Sequence, residues 1–271
     1  MTSTTLRRTA FSTAVTAVLL LCTPSCAGTG ATGGDRDEGR PTATPTAPVP
    51  SALRAAERAV GRAGSARVES ATVMGSELSL EATGALGWSD GLTGTLTITY
   101  TGGTTAETMR GLGTTAMEAR YLADAYYAKM GDAFAERAGG RHWIRYVYDD
   151  LEELGDLGAD FADQMRSTTP HQALKQLLAS ADVRRVGEET TRGRRTTHWS
   201  GTVDGATAQT VDVWVDDRDL LVKKVERGRT ATGELTQTAW YTDYGVTVVA
   251  ERPPAADTAD FKELLAAQTG S

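Results

Sequence analysis

The chain has 271 residues, 40% of them apolar, and a formal net charge of −7. That is enough for one sizeable domain with a core plus a targeting segment. The acidic balance speaks against binding nucleic acid or anionic lipid headgroups by charge. Without residues 1–25, which hold Arg7 and Arg8 and no acid, 26 basic residues face 35 acidic ones and the net charge becomes −9. The short basic clusters, Arg184-Arg185 and Arg192 to Arg195, read as solvated surface. There is no Asn and there are only two Ile, Ile98 and Ile144. This bias fits the codon usage of a GC-rich bacterial genome.

Residues 1–25 have the layout of a secretory signal peptide: Arg7-Arg8, an apolar run from Ala10 to Cys22, then small residues before a cut. The run is too short for a membrane-spanning helix that stays in the mature protein. The general secretion route is expected, with the twin-arginine route as the alternative, since Phe11 follows Arg7-Arg8 one position off that signal's spacing. Cys26 follows the small residue Ser25, and this resembles a bacterial lipobox, in which the thiol is diacylated and becomes the first mature residue. Thr23 departs from the usual Leu of that motif, and the rival Cys22 follows the large Leu21. The alternative is ordinary cleavage nearby, with Cys26 left as a free thiol. In either case no disulfide holds the mature domain.

Residues 26–50 are expected to form a disordered tether. Thr42 to Pro50 is a Thr/Pro run that cannot bury enough apolar surface to fold. A flexible coil of about 25 residues spans roughly 25–30 Å, and the prolines extend it. With a lipid anchor, the protein is expected on the outer face of the cytoplasmic membrane, its domain held away from the bilayer.

The folded domain is expected over residues 51–267. Ser51 to Gly64 predicts a helix with Leu53, Ala56, Ala59 and Val60 on one face. The period then becomes twofold. Strands are predicted over 66–74, 77–88 and 91–101. In the third, Leu92, Gly94, Leu96, Ile98 and Tyr100 alternate with Thr93, Thr95, Thr97, Thr99 and Thr101, so one face is apolar and the other can meet water. Further strands are predicted over 105–109, 115–122, 126–130 and 141–148. Leu151, Leu154, Phe161 and Met165 have the spacing of an amphipathic helix interrupted at Gly155 and Gly158. Pro170 opens another helix, with Leu174, Leu177 and Leu178 on one face. Strands resume over 183–188 and 196–203. A meander of long antiparallel strands follows from Thr210 to about Val249, ended by Pro253-Pro254, and a short helix covers 259–267. The class is α+β, a large curved antiparallel sheet wrapped over helices, with every connection compatible with antiparallel neighbours.

No catalytic, cofactor-binding or metal-binding constellation stands out. His142, His171 and His198 lack metal-ligand spacing. Asp216, Asp217 and Asp219 fit a hairpin turn better than a calcium loop. Asp149, Asp150, Glu152 and Glu153 suit a solvated helix start. There is no phosphate loop, dinucleotide fingerprint or nucleophile elbow.

The whole pattern resembles the LppX/LprG group of actinobacterial lipoproteins, which have a LolA-like fold. The stretches that carry the resemblance are Ala63-Gly64-Ser65-Ala66-Arg67 after the first helix, Ala181-Asp182-Val183, Gly187-Glu188-Glu189, Thr197-His198-Trp199-Ser200-Gly201, Val213-Trp214-Val215-Asp216, Tyr241-Thr242-Asp243-Tyr244-Gly245 and Ala250 to Ala255. It covers residues 51–267, and the order of these stretches carries it more than any one of them. The resemblance implies an eleven-stranded half-barrel with an apolar cavity between sheet and helices that takes acylated lipid. Cys26 is the single residue carried over by position.

Two functions follow. One is a membrane-anchored, non-enzymatic, monomeric carrier of an acylated lipid. Its cavity would be lined by Leu80, Leu92, Leu96, Ile98, Tyr100, Val211 and Val213, with Leu151, Leu154, Phe161 and Met165 on its lid. The other is an envelope sensor or interaction module of the same fold, in which those residues are a filled core. Neither uses a cofactor or nucleic acid.

Overall fold

A computed structural model describes residues 50–154, 162, 168–203, 208–230 and 232–269 of the chain. The signal peptide, nearly all of the tether, and the lid residues Phe161 and Met165 lie outside the described residues.

The helix α1 (Ser51–Ala63) closes at Gly64 and leads straight into β1 (Ser65–Met74). Next come β2 (Leu78–Gly87), β3 (Thr93–Gly102), α2 (Gly103–Gly111), β4 (Ala116–Tyr121), β5 (Ala125–Lys129), α3 (Asp132–Ala135), β6 (Trp143–Val147) and α4 (Tyr148–Glu152). After these come α5 (Pro170–Ala179), β7 (Arg184–Thr191), β8 (Arg194–Val203), β9 (Gln209–Asp216), β10 (Leu221–Thr230) and β11 (Gly233–Thr242). A 3₁₀ turn (Ala255–Asp257), β12 (Thr258–Asp260) and α6 (Phe261–Thr269) end the described chain.

Among the described residues the strands form one curved, unclosed sheet of twelve, ordered β12-β6-β5-β4-β3-β2-β1-β11-β10-β9-β8-β7. This is the α+β architecture expected, with one strand more than the resemblance implied. All neighbours are antiparallel except β12, which pairs in parallel with β6. That exception corrects the expectation of antiparallel neighbours throughout.

The inner face carries the main core. Leu86 of β2, Leu96 of β3, Ile144 and Tyr146 of β6, Val211 and Val213 of β9 and Tyr241 of β11 share one cluster with Leu53, Ala56 and Val60 of α1 and Leu174 and Leu177 of α5. Thr169 caps α5 by accepting the Gln172 amide at 3.1 Å, and Pro170 follows as its first residue, where a missing N–H costs nothing. Gly201 lets α5 lie close on β8, since a Cβ there would stand 2.8 Å from Leu177 Cδ1. His171 Nε2 meets Glu57 Oε1 at 2.6 Å and ties α5 to α1.

Three expectations need correction. Residues 105–109 are helical, within α2. Gly103 turns with φ +83° in a place where a Cβ would come 2.4 Å from the Glu77 carbonyl oxygen, so the chain leaves the sheet there, and Ala106 and Met109 face the interior at helical spacing. The last long strand ends at Thr242, well before Pro253. Asp243 and Gly245 take positive φ, and the chain runs on as an irregular strap. The strap is held by Ser65 Oγ donating to Val246 O at 2.6 Å and by Arg252 donating to Tyr127 Oη at 2.7 Å and Asp124 Oδ2 at 2.6 Å. Residues 258–260 then form β12, so the last helix starts at Phe261.

Candidate inner-face site

The registers align one row of inward-facing residues across six strands: Val211 of β9, Glu226 of β10, Gln237 of β11, Thr72 of β1, Leu80 of β2 and Tyr100 of β3. The adjacent inward row runs Val213, Lys224, Ala239, Ser70, Ala82, Ile98 and Met117. The first row is polar on β10, β11 and β1, the second is polar on β10 and β1 with Ala239 on β11, and both are apolar on β2 and β3.

Lys224 is the central polar residue, 4% exposed. Its Nζ donates to Glu226 Oε1 at 2.8 Å and to Gln237 Oε1 at 3.3 Å. Gln237 Nε2 in turn donates to Thr72 Oγ1 at 3.3 Å. Burial works against the Lys224 charge, but the Glu226 carboxylate beside it and Tyr241 hold its pKa above the ordinary lysine value. At the other end of the row, burial pushes the Tyr100 hydroxyl up to about 12, so it stays neutral.

Cover over the inner face is uneven. Leu86, Val68, Tyr241 and Leu221 are buried, whereas Met74, Leu78, Leu80, Ile98, Tyr100 and Leu235 are only half-buried. The expected lining residues divide the same way. Leu92, Leu96, Val211 and Val213 are packed into the core, while Leu80, Ile98 and Tyr100 line the thinly covered part. Of the expected lid, Leu151 is buried at 1% exposure and Leu154 is exposed at 38%. A recess near them, lined in part by Arg145, Leu151, Leu154 and Phe261, encloses no room for even a water molecule.

Sequence reasoning missed Lys224, Glu226, Gln237 and Thr72. A bulge between Leu221 and Lys223 shifts the β10 register, so Lys224 and Glu226 face inward where plain alternation would point Lys223 inward. The cue available in the sequence was the pair Lys223-Lys224, a break in strict alternation.

The three histidines each meet a carboxylate. His142 Nδ1 lies 2.8 Å from Asp257, and His198 Nε2 lies 2.8 Å from Asp212, with His171 on Glu57 as above. His198 also stacks on Trp214 at 4.2 Å between ring centroids, on the outer face. Asp216 Oδ1 accepts the Arg218 and Leu220 amides at 3.0 and 2.9 Å, which makes it the organiser of the β9–β10 turn. Among the described residues, no three His, Cys, Asp or Glu side chains gather as a metal site, and no helix is long and apolar enough to cross a membrane.

No family model matches the chain. It is 73% identical over 284 residues to the Streptomyces coelicolor protein named "Putative lipoprotein SCO4650", with 99% of both chains covered. It is 48% identical over 242 residues, 79% of each chain, to an uncharacterized 31.2 kDa protein of Streptomyces griseus from the rplA-rplJ intergenic region. Among solved structures it is similar to LppX of Mycobacterium tuberculosis, with 17% identity and TM-score 0.46 over 74% of this chain and 98% of that one. It is also similar to LprF of Mycobacterium bovis, with 14% identity and TM-score 0.45 over 75% and 96%. By its near-full-length identity, the chain belongs to the family of the Streptomyces coelicolor protein named "Putative lipoprotein SCO4650".

Proposed function

We propose that this protein binds or carries an acylated lipid on the inner face of its sheet, without catalysis and as a monomer. The observation that supports this is the incomplete cover of an apolar surface. Leu80, Ile98, Tyr100, Leu78 and Leu235 face inward yet remain half-buried, while Leu86, Val68, Tyr241 and Leu221 elsewhere on the same face are buried. A fold that needed only a filled core would gain by covering them, since each buried CH₂ stabilises by about 0.8 kcal/mol. The same term would drive acyl chains onto that surface. Leu80, Ile98 and Tyr100 are the chain-contacting residues in this reading. Leu92, Leu96, Val211 and Val213 form the wall behind them, and the stretch from Leu151 through Leu154 begins the cover.

The anchor belongs to the same proposal. Cys26, freed by removal of residues 1–25, carries the lipid, and residues 26–50 hold the domain off the outer face of the cytoplasmic membrane. Cys26→Ser is expected to move the protein from the detergent phase to the aqueous phase in a cloud-point partition. Retention in the detergent phase contradicts the anchor.

A second reading has its own support. Four of the seven expected lining residues are packed into the core, as in an interaction or sensor module with no lipid site. Native mass spectrometry of the protein produced in two unrelated hosts separates the two. Co-purified lipid in both supports the carrier, and a lipid-free domain in both supports the module.

A further inference from the structure

We propose that the inner-face row seats an amphiphile lying across the strands, and that its head is zwitterionic, an amine-bearing phospholipid head of the phosphoethanolamine kind. This deepens the carrier reading above and rests on it. The row from Glu226 to Tyr100 changes from charged to apolar over four strand spacings, about 19 Å. That gradient matches a molecule with one polar end and one greasy end. Acyl chains lie over Leu80, Ile98 and Tyr100, and the head lies over β10, β11 and β1.

Charge complementarity selects the head. Lys224 and Glu226 stand two residues apart on β10, both face inward, and their Nζ–Oε1 distance is 2.8 Å. Their side chains are 5% and 17% exposed. The seat is net neutral, so a purely anionic head meets Glu226 and a purely cationic head meets Lys224, each at a cost in a partly dehydrated site. A head carrying both charges meets each with its opposite. The phosphate takes the third Nζ proton of Lys224, two of whose donors are used by Glu226 and Gln237. The ammonium takes Glu226 Oε2, and the second N–H of the Gln237 amide remains for a phosphate or ester oxygen.

A buried ion pair is a weak source of stability, and apolar residues of similar volume often serve a core as well or better. Here the pair lies beside the half-buried apolar surface, where a lipid head would need it.

The test uses the full-length protein extracted in detergent. It is offered an equimolar mixture of phosphatidylethanolamine and phosphatidylglycerol with matched acyl chains, and the bound species are weighed by native mass spectrometry. The expected result is a preference for phosphatidylethanolamine of about tenfold, the worth of one charge-assisted hydrogen bond. Lys224→Met with Glu226→Leu is expected to keep acyl binding and erase the preference. Glu226→Gln leaves the cation alone and is expected to turn the preference toward phosphatidylglycerol. Equal binding of the two lipids by the unaltered protein, or a preference that survives both variants, overturns the head assignment and leaves the carrier reading standing. Binding of neither lipid overturns both.

Discussion

Lys224 has its charge on an inner wall whose neighbours Val213 and Ala239 are apolar. Removing one member of a buried pair strands the other, whereas removing both relieves the cost of desolvation. Lys224→Met is therefore expected to destabilise by about 2–3 kcal/mol, since Glu226 keeps some access to water. The double change Lys224→Met/Glu226→Leu is expected to lie near neutral. Urea unfolding of the two singles and the double measures this, and additive losses would contradict the pairing. Asp182 shows a different residue-scale effect. It accepts hydrogen bonds from Ser180 Oγ and from the Thr202 amide and hydroxyl, at 2.6, 2.6 and 2.7 Å. These lower its pKa from 3.8 to about 2, with the Ser180 bond the largest cause. A depressed acid stabilises the fold above the unfolded value, and the contribution is lost as pH falls through the folded value. The stability difference between the natural chain and Asp182→Asn is thus expected to be full above about pH 4 and to vanish toward pH 2. An Asp182 side chain that titrates near 4 by NMR would contradict this.

At the scale of elements, the long strands were readable because one face is apolar and the other is not. The Thr-rich alternation of β3 specifies its register almost residue by residue, since a slip of one would turn Leu96 outward. What could not be read were places where a single backbone event overrides the pattern. The β10 bulge moves Lys224 and Glu226 to the inner face, and the repeated lysine at Lys223-Lys224 is its one trace in the sequence. The Gly103 turn converts a Thr-rich segment that looks like a strand into α2, because local propensity yields to the close pass at Glu77. Gly103→Ala is expected to cost about 2 kcal/mol or more, through the left-handed φ and the close carbonyl together. A thermal melt unchanged by Gly103→Ala would show that the chain can leave the sheet by another path. The C-terminal strap was also hidden, because its fixing points are Ser65, Tyr127 and Asp124, far away in sequence.

In the whole molecule, the described strands curve without closing over a core to which α1, α2 and α5 contribute, and one part of the inner face is better covered than the other. The sequence showed the apolar side of the sheet, with Leu80, Ile98 and Tyr100 among its residues, since these follow from strand parity. It did not show how far the helices reach over that side, because burial depends on packing between α1, α5 and strands distant in the chain. The polar end of the row was hidden for the same reason as the bulge. The proposed lipid seat is a surface with a charged end and an oily end, shared by five neighbouring strands.

The most direct measurement is photo-crosslinking with a phosphatidylethanolamine that carries a diazirine at mid-chain, followed by peptide mapping of the labelled protein. Labels are expected on Leu80, Ile98 and Tyr100 and on their inward neighbours. Labels confined to the outer face around Trp214 and His198, or no labelling above that of a heat-unfolded control, would contradict it.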